Sequence, residues 1–252
     1  MKIITFSLYS RYNSVMYSEK FTVLSTDINS TLEIRLSALL RYMQDVATEH
    51  ANKLKIGHKE LLDKRKIWVI VRMDIKINRL PKVDEEFIVS THPGEVKSFT
   101  FPRYFEVYDK HHHLLVSAAS IWVIIDYDTR KIQLKPFADK KLPFETDKDD
   151  LPLPEKIVGS ADIKVDTRRA RYSETDMNGH INNTHYFDYV LDTHNAEFFK
   201  KNTIKSFSIN YDKELLVDEV IELYSNKDNP EVIQGKVNGV NSFTAKIEFE
   251  QR

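Results

Sequence analysis

The chain has 252 residues, of which 41% are hydrophobic and 30% charged, a composition typical of folded rather than disordered proteins. Its 37 Lys and Arg residues nearly balance 38 Asp and Glu residues, so a global electrostatic grip on nucleic acid is not expected, although a local patch could bind an acidic partner. The absence of cysteine excludes disulfides, cysteine metal ligands and cysteine nucleophiles.

A helix is expected in each half of the chain. Apolar residues recur at helical spacing over residues 36–54 and again over about 183–200. Each helix is followed by segments with the alternation and β-branched content of strands. The predicted strands are residues 67–77, 86–92, 99–108 and 114–126 in the first half, and 204–211, 220–224, 232–237 and 243–249 in the second.

The two halves resemble copies of one unit. T-D-I-N at 26–29 precedes the first helix as T-D-M-N at 175–178 precedes the second, and V-D-E at 83–85 recurs at 217–219. The matching order indicates an internal duplication. Prolines and many charges in residues 137–156 are typical of a surface linker. We therefore predict an α+β protein with a first unit at 1–136, a linker at 137–160 and a second unit at 161–252.

A dense polar cluster precedes the second helix. In an extended segment alternate residues point to the same side, so Asp176, Asn178 and His180 would share one face. There a carboxylate can orient an imidazole, an amide can position water, and a histidine can accept a proton near neutral pH. The alternative is a capping loop, because Asp, Asn and Gly are common before helices.

The segment that begins at Asp176, D-M-N-G-H-I-N-N-T-H-Y, resembles the D-x-N-x-H-x-N-N-x-x-Y signature of the acyl-acyl carrier protein thioesterases. Three further segments resemble the family in matching order: residues 42–50 with Gln44, Ala47 and His50, residues 66–73 (K-I-W-V-I-V-R-M), and residues 209–214 (I-N-Y-D-K-E). The resemblance implies a tandem (double) hotdog fold, in which each unit wraps an antiparallel sheet around a long helix.

The resemblance also implies an activity. The enzyme would hydrolyse the thioester of fatty acyl-acyl carrier protein (acyl-ACP) and release free fatty acid, with water activated by a general base and with no cofactor or metal. Asp176, Asn178 and His180 carry over as active-site residues, and Glu214 carries over as the acid that could activate water. Plant members often have Cys at the position of Leu215, so a mechanism that needs that thiol fails in this chain.

The first unit would mainly form the acyl pocket. The T-D-I-N match places Thr31 where the second unit has His180, which suggests a site that binds without catalysing. Met43 and Trp68 are expected in the wall of the acyl tunnel, and Asn183 is also assigned to substrate binding.

Three arginines, Arg168, Arg169 and Arg171, crowd before the motif. They are either a solvated strand face or a docking patch for acyl carrier protein, whose acidic surface or pantetheine phosphate they could bind.

Other interpretations remain. An acyl-CoA thioesterase or hydratase could use the same fold, as could a non-catalytic acyl-binding protein. His111-His112-His113 indicates a hairpin tip more than a metal site, because adjacent residues point in different directions and no carboxylate pair completes a ligand set. No apolar run is long enough to span a membrane. We expect a cytoplasmic protein that binds no nucleic acid, and a homodimer is compatible with the sequence.

Overall fold

A computed structural model describes residues 15–134, 136–137, 142–144, 151–227 and 231–252. The first predicted unit starts at residue 1 and the predicted linker spans residues 137–160, so both include residues outside the described ranges. The strands are β1 (Tyr17–Thr22), β2 (Lys66–Ile77), β3 (Glu86–Pro93), β4 (Phe101–Asp109), β5 (Leu114–Asp126), β6 (Ile163–Arg169), β7 (Asn202–Tyr211), β8 (Val220–Ser225), β9 (Val232–Val237) and β10 (Val240–Gln251). The helices are α1 (Leu36–Lys53), α2 (His58–Leu62), α3 (His185–Leu191) and α4 (Ala196–Lys201), with a short 3-10 helix at Tyr172–Glu174.

The ten strands of the described chain form one antiparallel sheet in the order β1-β3-β4-β5-β2-β7-β10-β9-β8-β6. The order of the first five strands is repeated in reverse by the last five, so β6 to β10 are the counterparts of β1 to β5. We call β1–β5 with α1 and α2 the first unit, and β6–β10 with α3 and α4 the second unit. The α+β class and the internal duplication predicted from the sequence are confirmed.

The two units join through β2 and β7. These strands pair antiparallel from Arg72 opposite Asn210 to Lys76 opposite Ser206, which makes the sheet continuous. The connection between the units crosses this junction. Arg72 donates to the Pro154 carbonyl at 3.5 Å, and the Asn210 amide donates to the Ile157 carbonyl at 3.4 Å.

One hydrophobic core serves both units. The buried face of α1, including Leu39 and Val46, belongs to the same cluster as Phe105 of β4, Phe207 of β7 and Phe243 of β10. The spacing of the buried α1 residues explains why the sequence predicts this helix at nearly its observed bounds. No helix among the described residues is long and apolar enough to cross a membrane.

The predicted helix at 183–200 is wrong, because two short helices occupy that region. Asp192 is the C-cap of α3, and Asn195 is the N-cap of α4. The Asn195 side chain accepts a hydrogen bond from the Phe198 amide at 2.9 Å, which is the geometry of an N-cap. Apolar periodicity continues across the break and conceals it in the sequence.

Gly235 of β9 gives a test of this core. A Cβ at this position would lie 2.2 Å from Cε1 of Phe243 and 2.8 Å from Cδ1 of Ile221. We expect Gly235→Ala to lower the free energy of unfolding by about 1–3 kcal/mol, because a packed core resists added volume. Urea unfolding measures the change. Val220→Ala is the control, since Val220 is 49% exposed, and its effect should stay within about 0.5 kcal/mol.

Candidate active site

The polar motif folds as a tight turn, not as the extended segment predicted from its spacing. Oδ1 of Asp176 accepts hydrogen bonds from the backbone amides of Asn178 at 2.8 Å and His180 at 3.2 Å. The Asp176 amide in turn donates to the His180 carbonyl at 2.8 Å. Gly179 has a φ of +78°, a left-handed conformation that glycine adopts readily. The Asp176 carboxylate thus organises the backbone that carries His180.

Hydrogen bonds bring the segment that follows β7 against this turn. The Ile181 amide donates to the Leu215 carbonyl at 2.9 Å, and the Leu215 amide donates to the Tyr186 hydroxyl at 3.2 Å. The Leu215 side chain is fully buried in the core. With Leu215 fixed, Glu214 lies beside His180. Their Oε2 and Nε2 atoms are 3.4 Å apart.

No sequence pattern points to a further residue, Arg130, which forms an ion pair with Oε1 of Glu214. Arg130 lies in the turn after β5, in the first unit, with a φ of +59°. Asp126 shapes that turn by accepting hydrogen bonds from the amides of Asp128 and Thr129. Each carboxylate oxygen of Glu214 therefore faces a different partner, one from each unit.

Burial lowers the pKa of His180 below its ordinary value of 6.5. The negative charge of Asp176 opposes this effect and raises the His180 pKa, whereas the positive charge of Arg130 lowers it further. Because the net shift is downward, the neutral form of His180 is favoured at pH 7. A neutral imidazole can accept a proton, which is the state that a general base requires.

A cavity of about 280 Å³ opens beside this turn. It lies between α1 and the first unit's strands, and Asn178 and Met177 of the second unit complete its wall. The described residues lining it are mainly apolar: Ala47, Ala51, Ile56, Ile67, Trp68, Pro93, Gly94, Val96, Phe101, Pro102, Trp122, Leu142 and Met177, with the polar residues Gln44, Thr48, His58, Arg103 and Asn178. Such a cavity suits an apolar ligand with a few polar contacts.

Comparisons with known proteins identify the family. The model for "Acyl-ACP thioesterase N-terminal domain" matches residues 14–136, and the model for "Acyl-ACP thioesterase C-terminal domain" matches residues 160–251. The chain belongs to the acyl-ACP thioesterase family. The resemblance inferred from the motif is thereby confirmed.

Individual relatives are distant in sequence but similar in fold. An oleoyl-acyl carrier protein thioesterase of Arabidopsis thaliana is 24% identical over 93% of this chain and 69% of its own length. A Cuphea viscosissima acyl-[acyl-carrier-protein] hydrolase is 23% identical over 83% of this chain, which spans 54% of that relative. The crystal structure of an acyl-ACP thioesterase from Bacteroides thetaiotaomicron has 24% identity and a TM-score of 0.83, covering 93% of this chain and 98% of the other. The 12:0-ACP thioesterase from Umbellularia californica has 19% identity and a TM-score of 0.77, covering 97% and 100%. The predicted tandem hotdog fold is confirmed.

In this acyl-ACP thioesterase, the residues predicted to bind substrate lie in different environments. Trp68 lines the cavity, and its indole nitrogen donates to the Ile56 carbonyl at 2.9 Å. Met43 lies in the hydrophobic core and is not among the described residues of the cavity wall. Oδ1 of Asn183 accepts a hydrogen bond from Gln44 at 2.6 Å, which ties the second unit to α1 beside the cavity.

The three arginines lie at the end of the edge strand β6 and just beyond it. Arg168 bonds Asp192 at 2.7 Å, and Arg169 bonds Asp218 at 3.1 Å. Arg171 is exposed, and its backbone amide donates to Oε2 of Glu174 at 2.7 Å, but its guanidinium forms no ion pair within the described chain. Much of the positive charge of this cluster is therefore already balanced, and Arg171 is the member best placed to bind an external anion.

Hydrogen bonding corrects the predicted alignment of the two units by two residues. Oδ1 of Asn29 accepts from the amides of Thr31 at 2.9 Å and Glu33 at 3.2 Å, the same pattern that shapes the second unit's turn. Glu33, not Thr31, is thus the counterpart of His180. Glu33 is nearly buried and binds Arg252, with Nη1 at 3.0 Å from Oε1. The shared T-D-x-N sequence suggested an alignment of identical residues, but these residues do not occupy equivalent positions in the two turns.

The charges around His180 predict opposite effects of two substitutions on its pKa. Arg130→Met should raise the His180 pKa, because a neighbouring cation is lost. Asp176→Asn should lower the pKa further, because an anion is lost, and the turn should persist since Asn29 makes the same two hydrogen bonds in the first unit. The measurement is NMR titration of the ring protons, with the exposed His111 as internal reference. Shifts of the same sign would contradict this electrostatic account.

Proposed function

We propose that this protein hydrolyses the thioester of fatty acyl groups carried on acyl carrier protein, with the His180–Glu214 pair activating water. Membership of the acyl-ACP thioesterase family supports the reaction and the substrate class. The observation that carries the proposal is that His180 of this pair shares one turn with Asn178, which forms part of the wall of a mainly apolar cavity. A proton acceptor therefore stands next to a space suited to an acyl chain.

The reaction proceeds from this arrangement. The acyl chain enters the cavity, and its thioester carbonyl lies near Asn178. The His180–Glu214 pair takes a proton from water while the water oxygen attacks the carbonyl carbon. The tetrahedral intermediate then expels the carrier's sulfur, which receives the proton, leaving free fatty acid and the carrier thiol. General-base assistance typically contributes about two to four powers of ten to the rate.

Two neighbours, Asp176 and Arg130, position the reacting groups. Asp176 fixes the turn and accepts a hydrogen bond from the side-chain amide of Asn178 at 3.3 Å, which orients that amide toward water or substrate. Arg130 holds one oxygen of Glu214 and leaves the other facing His180. A hydrogen bond to the developing oxyanion is worth about two to three powers of ten in kcat.

Glu214→Gln tests the role of the carboxylate. Gln keeps the size and the hydrogen bonding of Glu but cannot accept a proton from water, so kcat should fall by about a hundredfold or more while folding persists. Release of the carrier thiol reports turnover, and thermal unfolding reports the fold. Glu197→Gln is the control, because that exposed residue of α4 pairs with Lys200 outside the site. Full turnover by Glu214→Gln would leave His180 as the base.

His180→Ala and Asn178→Ala should each lower kcat by at least about tenfold. The first removes the neutral imidazole and the second removes the amide beside the cavity. His111→Ala, in the exposed turn between β4 and β5, is the matched histidine control. Near wild-type kcat in both folded variants would return the motif to the structural role of a capping turn.

Carrier selectivity separates acyl-ACP hydrolysis from the acyl-CoA alternative. We expect higher kcat/KM for acyl-ACP than for the matching acyl-CoA, with a KM for acyl-ACP that rises with salt, because docking to an acidic carrier is electrostatic. Arg171→Ala should raise that KM more than Arg169→Ala, since Asp218 already neutralises Arg169. Equal efficiency on both carriers would favour the acyl-CoA alternative.

A cytoplasmic location and a homodimer stay predictions.

A further inference from the structure

A cationic side chain stands in the wall of the apolar cavity. Arg103 of β4 lines the cavity at its first-unit side, and burial lowers the pKa of Arg103 to about 10, which leaves the guanidinium charged at neutral pH. No Asp or Glu is among the described residues of the cavity wall, and Arg103 forms no ion pair within the described chain. Arg103 is only partly exposed, and a charge with limited access to water is unfavourable without a counter-ion, so this arrangement requires a reason.

The hydrogen bonds of Arg103 use only part of its donor capacity. A guanidinium has five N–H donors and no acceptor. Nη1 donates to Nδ1 of His50 at 3.3 Å and to Oγ1 of Thr91 at 3.2 Å. Nε and Nη2 have no acceptor among the described residues, and the side chain faces the cavity. The cavity wall therefore presents a cation with N–H groups available to a ligand oxygen.

The position of Arg103 differs from that of the reacting carbonyl. Gln44 marks the catalytic end of the cavity, because it bonds Asn183 of the second unit. Arg103 contacts His50, six residues further along α1. At a rise of about 1.5 Å per residue, that contact lies roughly 9 Å along the helix from Gln44. An oxygen bound by Arg103 would thus belong to the acyl chain beyond the thioester.

We propose that Arg103 recognises an oxygen-bearing group, a hydroxyl or a keto oxygen, on the acyl chain. The preferred substrates are then acyl thioesters oxygenated along the chain, rather than plain alkyl chains of equal length. This inference rests on the proposed thioesterase function and names its substrate class. A plain chain would fill the same space but leave the guanidinium without an acceptor, which selects against it.

The test compares plain hexadecanoyl-ACP with hexadecanoyl-ACP carrying a hydroxyl at successive carbons. At one position or more, we expect kcat/KM of the wild type to exceed that for the plain chain by about tenfold or more. Arg103→Met should abolish this ratio, and Arg103→Lys should retain part of it. If the Met variant does not fold, Arg103→Gln removes the charge at similar length. A purely structural role would change stability and total activity but leave the ratio intact.

A binding measurement keeps this inference separate from the proposed activity. Trp68 and Trp122 both line the cavity and are the two tryptophans of the chain, so their fluorescence reports occupancy. Hydroxylated methyl esters should bind more tightly than plain ones, and esters avoid a carboxylate that could itself pair with Arg103. Binding preference without hydrolysis of any thioester would overturn only the proposed function. Absence of a preference for oxygen at every position, in binding and in turnover, would overturn the role of Arg103.

Discussion

The pairing of β2 with β7 is the contact on which the arrangement of the site depends. It joins two five-stranded sheets into one and places the second unit's motif against the first unit's helix. The cavity consequently draws most of its wall from one unit and its polar edge, at Asn178, from the other. The same junction allows Arg130 of the first unit to reach Glu214 of the second. Neither unit alone contains both the cavity wall and the His180–Glu214 pair.

Hydrogen bonds between side chains and the backbone set the positions of His180 and Glu214. One carboxylate oxygen of Asp176 accepts hydrogen bonds from two backbone amides. The buried Leu215 donates its amide to the Tyr186 hydroxyl and accepts at its carbonyl from the Ile181 amide. His180 and Glu214 are thus carried on two segments fixed to each other. Preorganisation of this kind reduces the rearrangement needed during the reaction.

Much of the fold could be predicted from the sequence because its signals are local. The apolar periodicity of α1 and the alternation in the strands arise because one face of each element is buried, and the structure buries that face. The break between α3 and α4 was missed because the Asn195 cap interrupts a helix without interrupting its apolar pattern. The segment at Asp176 was wrongly predicted as extended. Short polar side chains can bond their own backbone instead of a strand partner, and this folds the segment into a turn. The Arg130–Glu214 pair arises from tertiary pairing, for which no local pattern exists.

The exchange of His180 for Glu33 between the units has a consequence for the history of the protein. In a symmetric dimer of identical subunits, every substitution appears at two places, so a change that improves one pocket also alters its mate. Covalent fusion of the copies removes that constraint. One unit can then carry a buried carboxylate held by Arg252 at the position where the other carries an imidazole. Because both units belong to one chain, this difference is inherited as a single sequence.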